Sequence, residues 1–215
     1  MIALKYVAAV FIGYALGAIP FGLIAGKLFR GVDVREYGSG KTGATNVLRT
    51  AGAKAGLFTV VTDLGKAYLA VLIAWLILHS YAAQAATAVA AMAGHSWPVY
   101  ARFRGGRAVG AFIGGMGVMY WPIALVCGPV LGLAVALLTR YVSLGSIAVA
   151  TGSFLAILVM FLLDRQPIEY LAYAVAGGGL ILLLHRDNIQ RLCSHTERRL
   201  GEKGARRDTS WHEVE

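Results

Sequence analysis

The stretch AVGAFIGGMGVMYWPIALVCGPVLGLAVALLT, residues 108–139, carries no charge and is closed at its ends by Arg107 and Arg140. Its reading sets the helix count. A helix that crosses a bilayer takes about 20 apolar residues, so 32 residues are too many for one crossing and barely enough for two. Trp121-Pro122 near the middle supplies a turn. Proline disfavours a continuing helix, and tryptophan suits the lipid–water interface. Two spans are therefore expected, 107–120 and 123–139, with six spans in all plus a re-entrant segment as the alternative.

Similar apolar runs recur on both sides of this stretch. Further spans are expected near 3–26, 56–79, 83–100, 144–163 and 168–184, making seven. Hydrophobic residues make up 58% of the 215 and charged residues 14%, and the mean hydropathy is +0.65. These values lie outside the range of soluble domains. Lipid offers backbone amides no partner, so every span must be helical. The fold class expected is an all-α integral membrane protein. The run from Ile2 continues through Pro20 and Phe21 without a cleavage site, and reads as a retained helix, not a signal peptide. The helical domain is expected over 1–200, followed by a mobile polar tail over 201–215.

Lysine and arginine set the orientation. Lys27, Arg30, Arg35, Lys41, Arg49 and Lys54 follow the first span; Arg102, Arg104 and Arg107 follow the third; Arg140 follows the fifth; Arg186 and Arg191 follow the seventh. The alternate connections hold only Arg165. The positive-inside rule then puts the N-terminus outside and the C-terminus in the cytoplasm. The net charge of +9 reads as a topology signal beside anionic membrane lipid, with no nucleic-acid partner implied. The polar residues of chemical interest fall in four cytoplasmic segments, 27–55, 101–107, 140–146 and 185–197. Each joins Arg or Lys to Gly, Ser, Thr, His or Asn, a combination suited to phosphate held at the bilayer edge.

The run GSGKTGATN, Gly38 to Asn46, invites a nucleotide-binding reading that fails. A phosphate-binding loop G-x-x-x-x-G-K-[ST] would need its first glycine where Arg35 stands, and a parallel sheet to carry it. What survives is the close approach that small residues allow between backbone N–H groups and an anion. Cys127 and Cys193 give no metal spacing and no disulfide argument, and neither a metal nor a cofactor is expected.

Three sets of residues carry a family resemblance. Ile19-Pro20-Phe21-Gly22, Tyr37-Gly38-Ser39-Gly40 and Gly43 to Arg49 form the first. Gly94-His95, Pro98, Phe103 and Gly105-Gly106-Arg107 form the second. His185 to Ile189, Arg191-Leu192 and Thr196-Glu197 form the third, and Arg140 to Leu144 adds a helix-opening segment. In order and spacing, over about 10–199, they resemble the bacterial acyl-phosphate:glycerol-3-phosphate acyltransferases, the PlsY family. The resemblance implies transfer of a fatty acyl group from acyl phosphate to the 1-hydroxyl of glycerol 3-phosphate, giving lysophosphatidate. Neither acyl-CoA nor acyl-carrier protein is implied as donor. It implies a multi-pass protein of the bacterial plasma membrane with its site on the cytoplasmic side.

The resemblance also implies site residues. Arg49 offers a planar fork for a substrate phosphate. Ser39 is expected to hydrogen-bond the donor or orient a hydroxyl, since no base stands beside it to make a nucleophile. Thr45 and Asn46 are expected in the same pocket, although both residue types also serve turns and caps. Gly105, Gly106 and Arg107 open the fourth helix and fit an anion site at a helix N-terminus, though a tight turn needs glycine too. Ser143 is expected to donate to phosphate, with helix capping as its competitor. His185 and Asn188, three apart, are expected on one helical face. The hydroxyl proton goes to His185 or to the donor's own phosphate. Glu197 reads as a structural tie to a basic residue, His95 as interhelical packing, and Asp63 with Lys66 as an i, i+3 pair.

Three departures from the family pattern stand out. Arg107 and Ala108 replace the last two residues of GGKG, Lys41 replaces Asn, and Asp187 replaces Glu. Lys41 and Ala108 keep alive a paralogue with an altered acceptor or lost activity, and Asp187 is a mild change. A small transporter for a phosphorylated solute is the rival from another class, and the apolar spans and outer turns supply few of the polar groups it needs.

Overall fold

The first apolar run, expected as one helix over 3–26, is two: α1 (Ile2–Gly17) and α2 (Phe21–Arg30). They belong to a computed structural model that describes residues 2–207. Pro20 causes the break, because its ring and missing N–H cannot continue the helical ladder. Past the turn after α2, a short helix α3 (Ala44–Ala51) leads into α4 (Ala53–Leu78). Neither α3 nor the break was legible as a span, since α3 is short and polar on one side.

Helix α5 (Tyr81–Ser96) sits at the centre, packed against α1, α4, α6 and α10. Its composition explains this. Eleven of its sixteen residues are buried, and most are Ala, Gly, Ser or Thr. Between helices in lipid, small residues allow the close backbone approach on which packing depends. A methyl added at Gly17 would strike Ala91, and one at Gly94 would strike the backbone of α1. Polar pins reinforce the core: Tyr170 donates to Gln84 Oε1 at 2.6 Å, and Tyr173 to Phe112 O at 2.8 Å.

The charge-free stretch divides at Tyr120. Helix α6 (Val109–Met119) ends there, and α7 (Trp121–Leu125), a π-helical stretch Val126–Gly132 and α8 (Leu133–Thr139) run on as one apolar helix. Pro129 lies within the π-helical stretch, where the wider ladder tolerates the N–H that proline lacks. Helix α9 (Val142–Leu162) and α10 (Ile168–Leu184) complete the bundle, and α11 (Arg186–Cys193) leaves α10 at 59°. Four helical stretches are long and apolar enough to cross a membrane, and a fifth joins them if α10 and α11 are one broken span. Helices α5 and α6 are shorter. The described residues contain no strand, only an isolated bridge between Tyr37 and Arg206.

The main core lies between α4, α5, α6, α9 and α10. A second cluster of Ala25, Val34, Val47 and Ala55 fastens the first loop onto α2, α3 and α4. The tail expected from residue 201 is placed as far as Arg207, hydrogen-bonded to the first loop. Its remainder, 208–215, lies outside the described residues.

Candidate active site

The first loop is organised by one side chain. Asn46 donates through Nδ2 to the carbonyls of Val34 (2.8 Å), Tyr37 (3.1 Å) and Lys41 (2.9 Å), and its Oδ1 accepts from Ser39 N–H at 2.9 Å. Gly38 and Gly40 turn the chain with φ of +54° and +69°, which glycine adopts without steric cost. Ser39 and Lys41 are thereby presented to a cavity, with Thr45 and Arg49 beside them on α3. Asn46 borders the same cavity, but its amide is committed to the loop. Arg35 pairs with Asp33 at 2.6 Å and donates to Ala101 O at 3.0 Å, tying this loop to the segment before α6.

In that second segment, Gly105 O accepts from Thr42 N–H at 3.3 Å, and Gly106 N–H donates to His95 O at 3.1 Å. A methyl on Gly105 would strike the His95 carbonyl and Pro98; one on Gly106 would strike the His95 ring. These two glycines are absent from the cavity wall. Their place is against His95, where there is no volume for a side chain. Arg107 does reach the cavity, held by a 3.1 Å bond from Nε to Leu184 O. Ala108, the cap residue just before α6, has a φ of +60°, left-handed backbone that disfavours any side chain. This gives a local reason for glycine at that position of the family pattern.

The third wall comes from the break between α10 and α11. His185 stands at the bend, so it and Asn188 do not share one straight helical face, yet both border the cavity. His185 Nδ1 lies 2.8 Å from Ile181 O, which places the ring proton on Nδ1 and the lone pair on Nε2. Asn188 donates to Glu197 Oε1 at 2.7 Å and Arg191 Nε to Glu197 Oε2 at 2.8 Å. Glu197 is thus a tie between tail and helix, and it also borders the cavity. Ser143 lies in the first turn of α9 without serving as its cap.

The cavity has a volume of about 310 Å³ and brings together eight of the ten expected site residues; Gly105 and Gly106 are the exceptions. One end is polar and cationic. The other runs between α4, α6 and the π-helical stretch, walled by Leu64, Ile113, Gly128, Gly132 and Val149. Burial, and then the neighbouring Arg198, hold the Arg49 guanidinium below its ordinary pKa. Burial and Arg191 do the same for Arg107, and burial and Arg107 for Lys41. Cations that depress one another are poised to gain from an anion placed among them. Arg49 Nε and Asn188 Oδ1 are buried with no hydrogen-bond partner among the described residues.

His185 lies outside the apolar span of α10. Burial, and then Arg107, lower its pKa to about 4, against the opposing pull of the Ile181 carbonyl. It is neutral at pH 7. Burial raises Glu197, but hydrogen bonds from Asn188 and Arg191 more than offset this and leave it lowered.

Beneath the site a buried polar series joins residues that the sequence singled out separately. Asp63 pairs with Lys66 at 2.8 Å, as expected, but His95 Nδ1 also lies 3.4 Å from Asp63 Oδ1, and Lys66 donates to Ile19 O at 2.9 Å. Asp63 and His95 both border the cavity. The available signal was ionisable residues within apolar helices, which are costly there unless they do something.

Comparison with known proteins bears on the same segments. The family model described as "Glycerol-3-phosphate acyltransferase" matches residues 7–195. A protein of Dehalococcoides mccartyi named glycerol-3-phosphate acyltransferase 3 is 41% identical over 215 residues, covering 94% of this chain and 99% of the relative. The glycerol-3-phosphate acyltransferase of Symbiobacterium thermophilum is 44% identical over 199 residues, covering 93% and 96%. The crystal structure of PlsY, an integral membrane glycerol 3-phosphate acyltransferase, in its glycerol 3-phosphate form superposes with a TM-score of 0.83. It is 36% identical and covers 91% of this chain and 96% of that one. Its lysophosphatidic acid form gives a TM-score of 0.81 at 35% identity, covering 91% and 95%. With the match extending over all the helices that wall the cavity, the chain belongs to the glycerol-3-phosphate acyltransferase family typified by PlsY.

Proposed function

We propose that this chain is an acyl-phosphate-dependent glycerol-3-phosphate 1-O-acyltransferase, which produces lysophosphatidate in the first step of phospholipid synthesis. The observation that carries the reading is a single cavity with Arg49, Arg107 and Lys41 at one end and an apolar passage at the other. Two phosphates and one acyl chain call for that division. The glycerol 3-phosphate and lysophosphatidic acid forms of the PlsY relative support the choice of acceptor and product.

Arg49 and Arg107 hold the substrate phosphates and screen their repulsion, and the acyl chain lies along Ile113, Gly128 and Gly132. Thr45, Ser143 and Asn188 complete the polar wall, and Ser39 aims the 1-hydroxyl at the acyl carbonyl. Catalysis is then mainly positional and electrostatic. The 1-hydroxyl oxygen bonds to the carbonyl carbon, the bond from that carbon to the phosphate oxygen breaks, and inorganic phosphate leaves. A base with a pKa near 4 takes a proton less readily than a phosphate oxygen, whose second pKa is about 6. The proton therefore passes to the donor's phosphate, while His185 orients the reacting groups.

In the membrane we read seven crossings: α1 with α2, α4, α5, α6, α7 through α8, α9, and α10. The N-terminus lies outside and the cationic loops lie on the cytoplasmic side of a bacterial plasma membrane. The test is acyl transfer by purified protein in lipid, from palmitoyl phosphate to labelled glycerol 3-phosphate, with palmitoyl-CoA as a parallel donor. Lysophosphatidate from palmitoyl phosphate alone is expected. No product from either donor, with the protein folded, overturns the reading.

A further inference from the structure

Beyond the main cavity, and sharing part of its wall, lies a second compartment of about 220 Å³. Lys41, Arg107, Arg191, Arg198 and Arg207 border it, with Asp187 as the acid among them. Arg198 and Arg207 come from the segment beyond residue 195, where the family match ends. Backbone hydrogen bonds bring that segment to the loop. Gly38 N–H donates to Ala205 O (2.9 Å), Gly204 N–H to Arg49 O (3.2 Å) and Arg207 N–H to Glu36 O (2.7 Å). Gly40 makes room for the arrival: a methyl there would fall on the Arg207 guanidinium.

Five cations border a recess that shares Lys41, Arg107, Arg191 and Arg198 with the wall of the main cavity. Arg191 is paired with Glu197, and the other four face the single lining carboxylate of Asp187, so the recess forms an electrostatic funnel. Clefts lined by one sign of charge focus the field and raise the local concentration of the opposite ion, and salt screens the effect. The acceptor is a small soluble phosphate monoester, and its charge suits this funnel. We propose that the compartment is an entry vestibule that captures the acceptor's phosphate before it passes to Arg49 and Arg107, and that Arg207 is its outer capturing residue. The proposal rests on the acyltransferase reading for what the inner cavity receives. A lipid headgroup phosphate shares the same chemistry, so the test separates the two.

The full-length protein in bilayer discs is assayed as wild type, Arg207→Ala, Arg207→Glu and Arg207→Lys, varying glycerol 3-phosphate at saturating acyl phosphate. At low salt the first two variants should raise the acceptor KM about tenfold with kcat unchanged, the Glu variant more than the Ala. Arg207→Lys should restore it, and the gap should close at about 0.5 M salt. Equal KM values at low salt overturn the proposal, as does a fall in kcat that salt does not alter. In a second series, with palmitoyl phosphate varied at saturating glycerol 3-phosphate, a changed KM for the donor assigns the recess to it. A lost response to anionic lipid assigns it to a headgroup. Either overturns the acceptor assignment. Calorimetric titration with glycerol 3-phosphate needs no turnover, and so stands apart from failure of the acyltransferase reading. Affinity about tenfold weaker in Arg207→Ala is expected, and unchanged affinity refutes the vestibule.

Discussion

Two glycine turns meet at the rim of the cavity, and glycine does a different job in each. In the turn at Gly38 and Gly40, the residues take positive φ and leave Ser39 and Lys41 facing the cavity. In the turn at Gly105 and Gly106, glycine is needed because any side chain would run into His95 or Pro98. The first turn needs glycine's backbone freedom as well as its small size, while the second needs its lack of volume alone. Sequence alone shows the same letters in both. Chemistry should therefore be lost on changing what the first turn and α3 present, and stability on changing what the second turn packs.

Arg49→Ala offers the largest contrast. Removing a charge-assisted clamp should lower kcat/KM by 100-fold or more, roughly 3 kcal/mol, with the helical far-UV signal kept. A loss under fivefold in the transfer assay would break the comparison on the chemical side. His185, which feels Arg107 of the second turn, supplies a pH test. Its folded pKa lies near 4 against an ordinary 6.5, so the unfolded chain binds more protons between those values. Stability should be full above pH 6.5 and fall by about 3 kcal/mol as pH drops to 4. Thermal unfolding across that range should show this dependence, and His185→Gln should remove it.

Gly106→Ala should cost about 2 kcal/mol through overpacking against His95, read as a lower melting temperature, while the acceptor KM of the folded fraction stays near wild type. An unchanged melting temperature together with a raised KM would return Gly106 to the role of an anion cradle. Ala108→Gly should give the smallest effect and the opposite sign. It relieves left-handed strain worth about 1 kcal/mol, and a small rise in melting temperature checks it.

Most of the helix pattern was legible because apolar runs and their charged ends are written locally. Helix α10 runs Ile168–Leu184 as expected, α9 lies within two residues of its expected bounds, and the stretch 108–139 turns where Trp121-Pro122 suggested. What escaped was set by tertiary contact. Pro20 was visible, but not that the Ile19 carbonyl at the break accepts from Lys66, a residue of another helix. Asn46 looked like a pocket residue and proved to border the pocket with its amide turned to the loop, because its partners at positions 34, 37 and 41 are backbone carbonyls that no residue type encodes. Gly105 and Gly106 matched an anion motif, and their neighbour His95 lay on another helix.

That hidden neighbour belongs to a longer series. Ile19 O, Lys66, Asp63, His95 and Gly106 touch in succession, from the broken first helix to the turn that carries Arg107. Replacing Asp63 or Lys66 alone strands a buried charge, and a side chain on Gly106 crowds the His95 ring. Substitutions among these side chains should therefore be tolerated in compensating pairs more readily than singly.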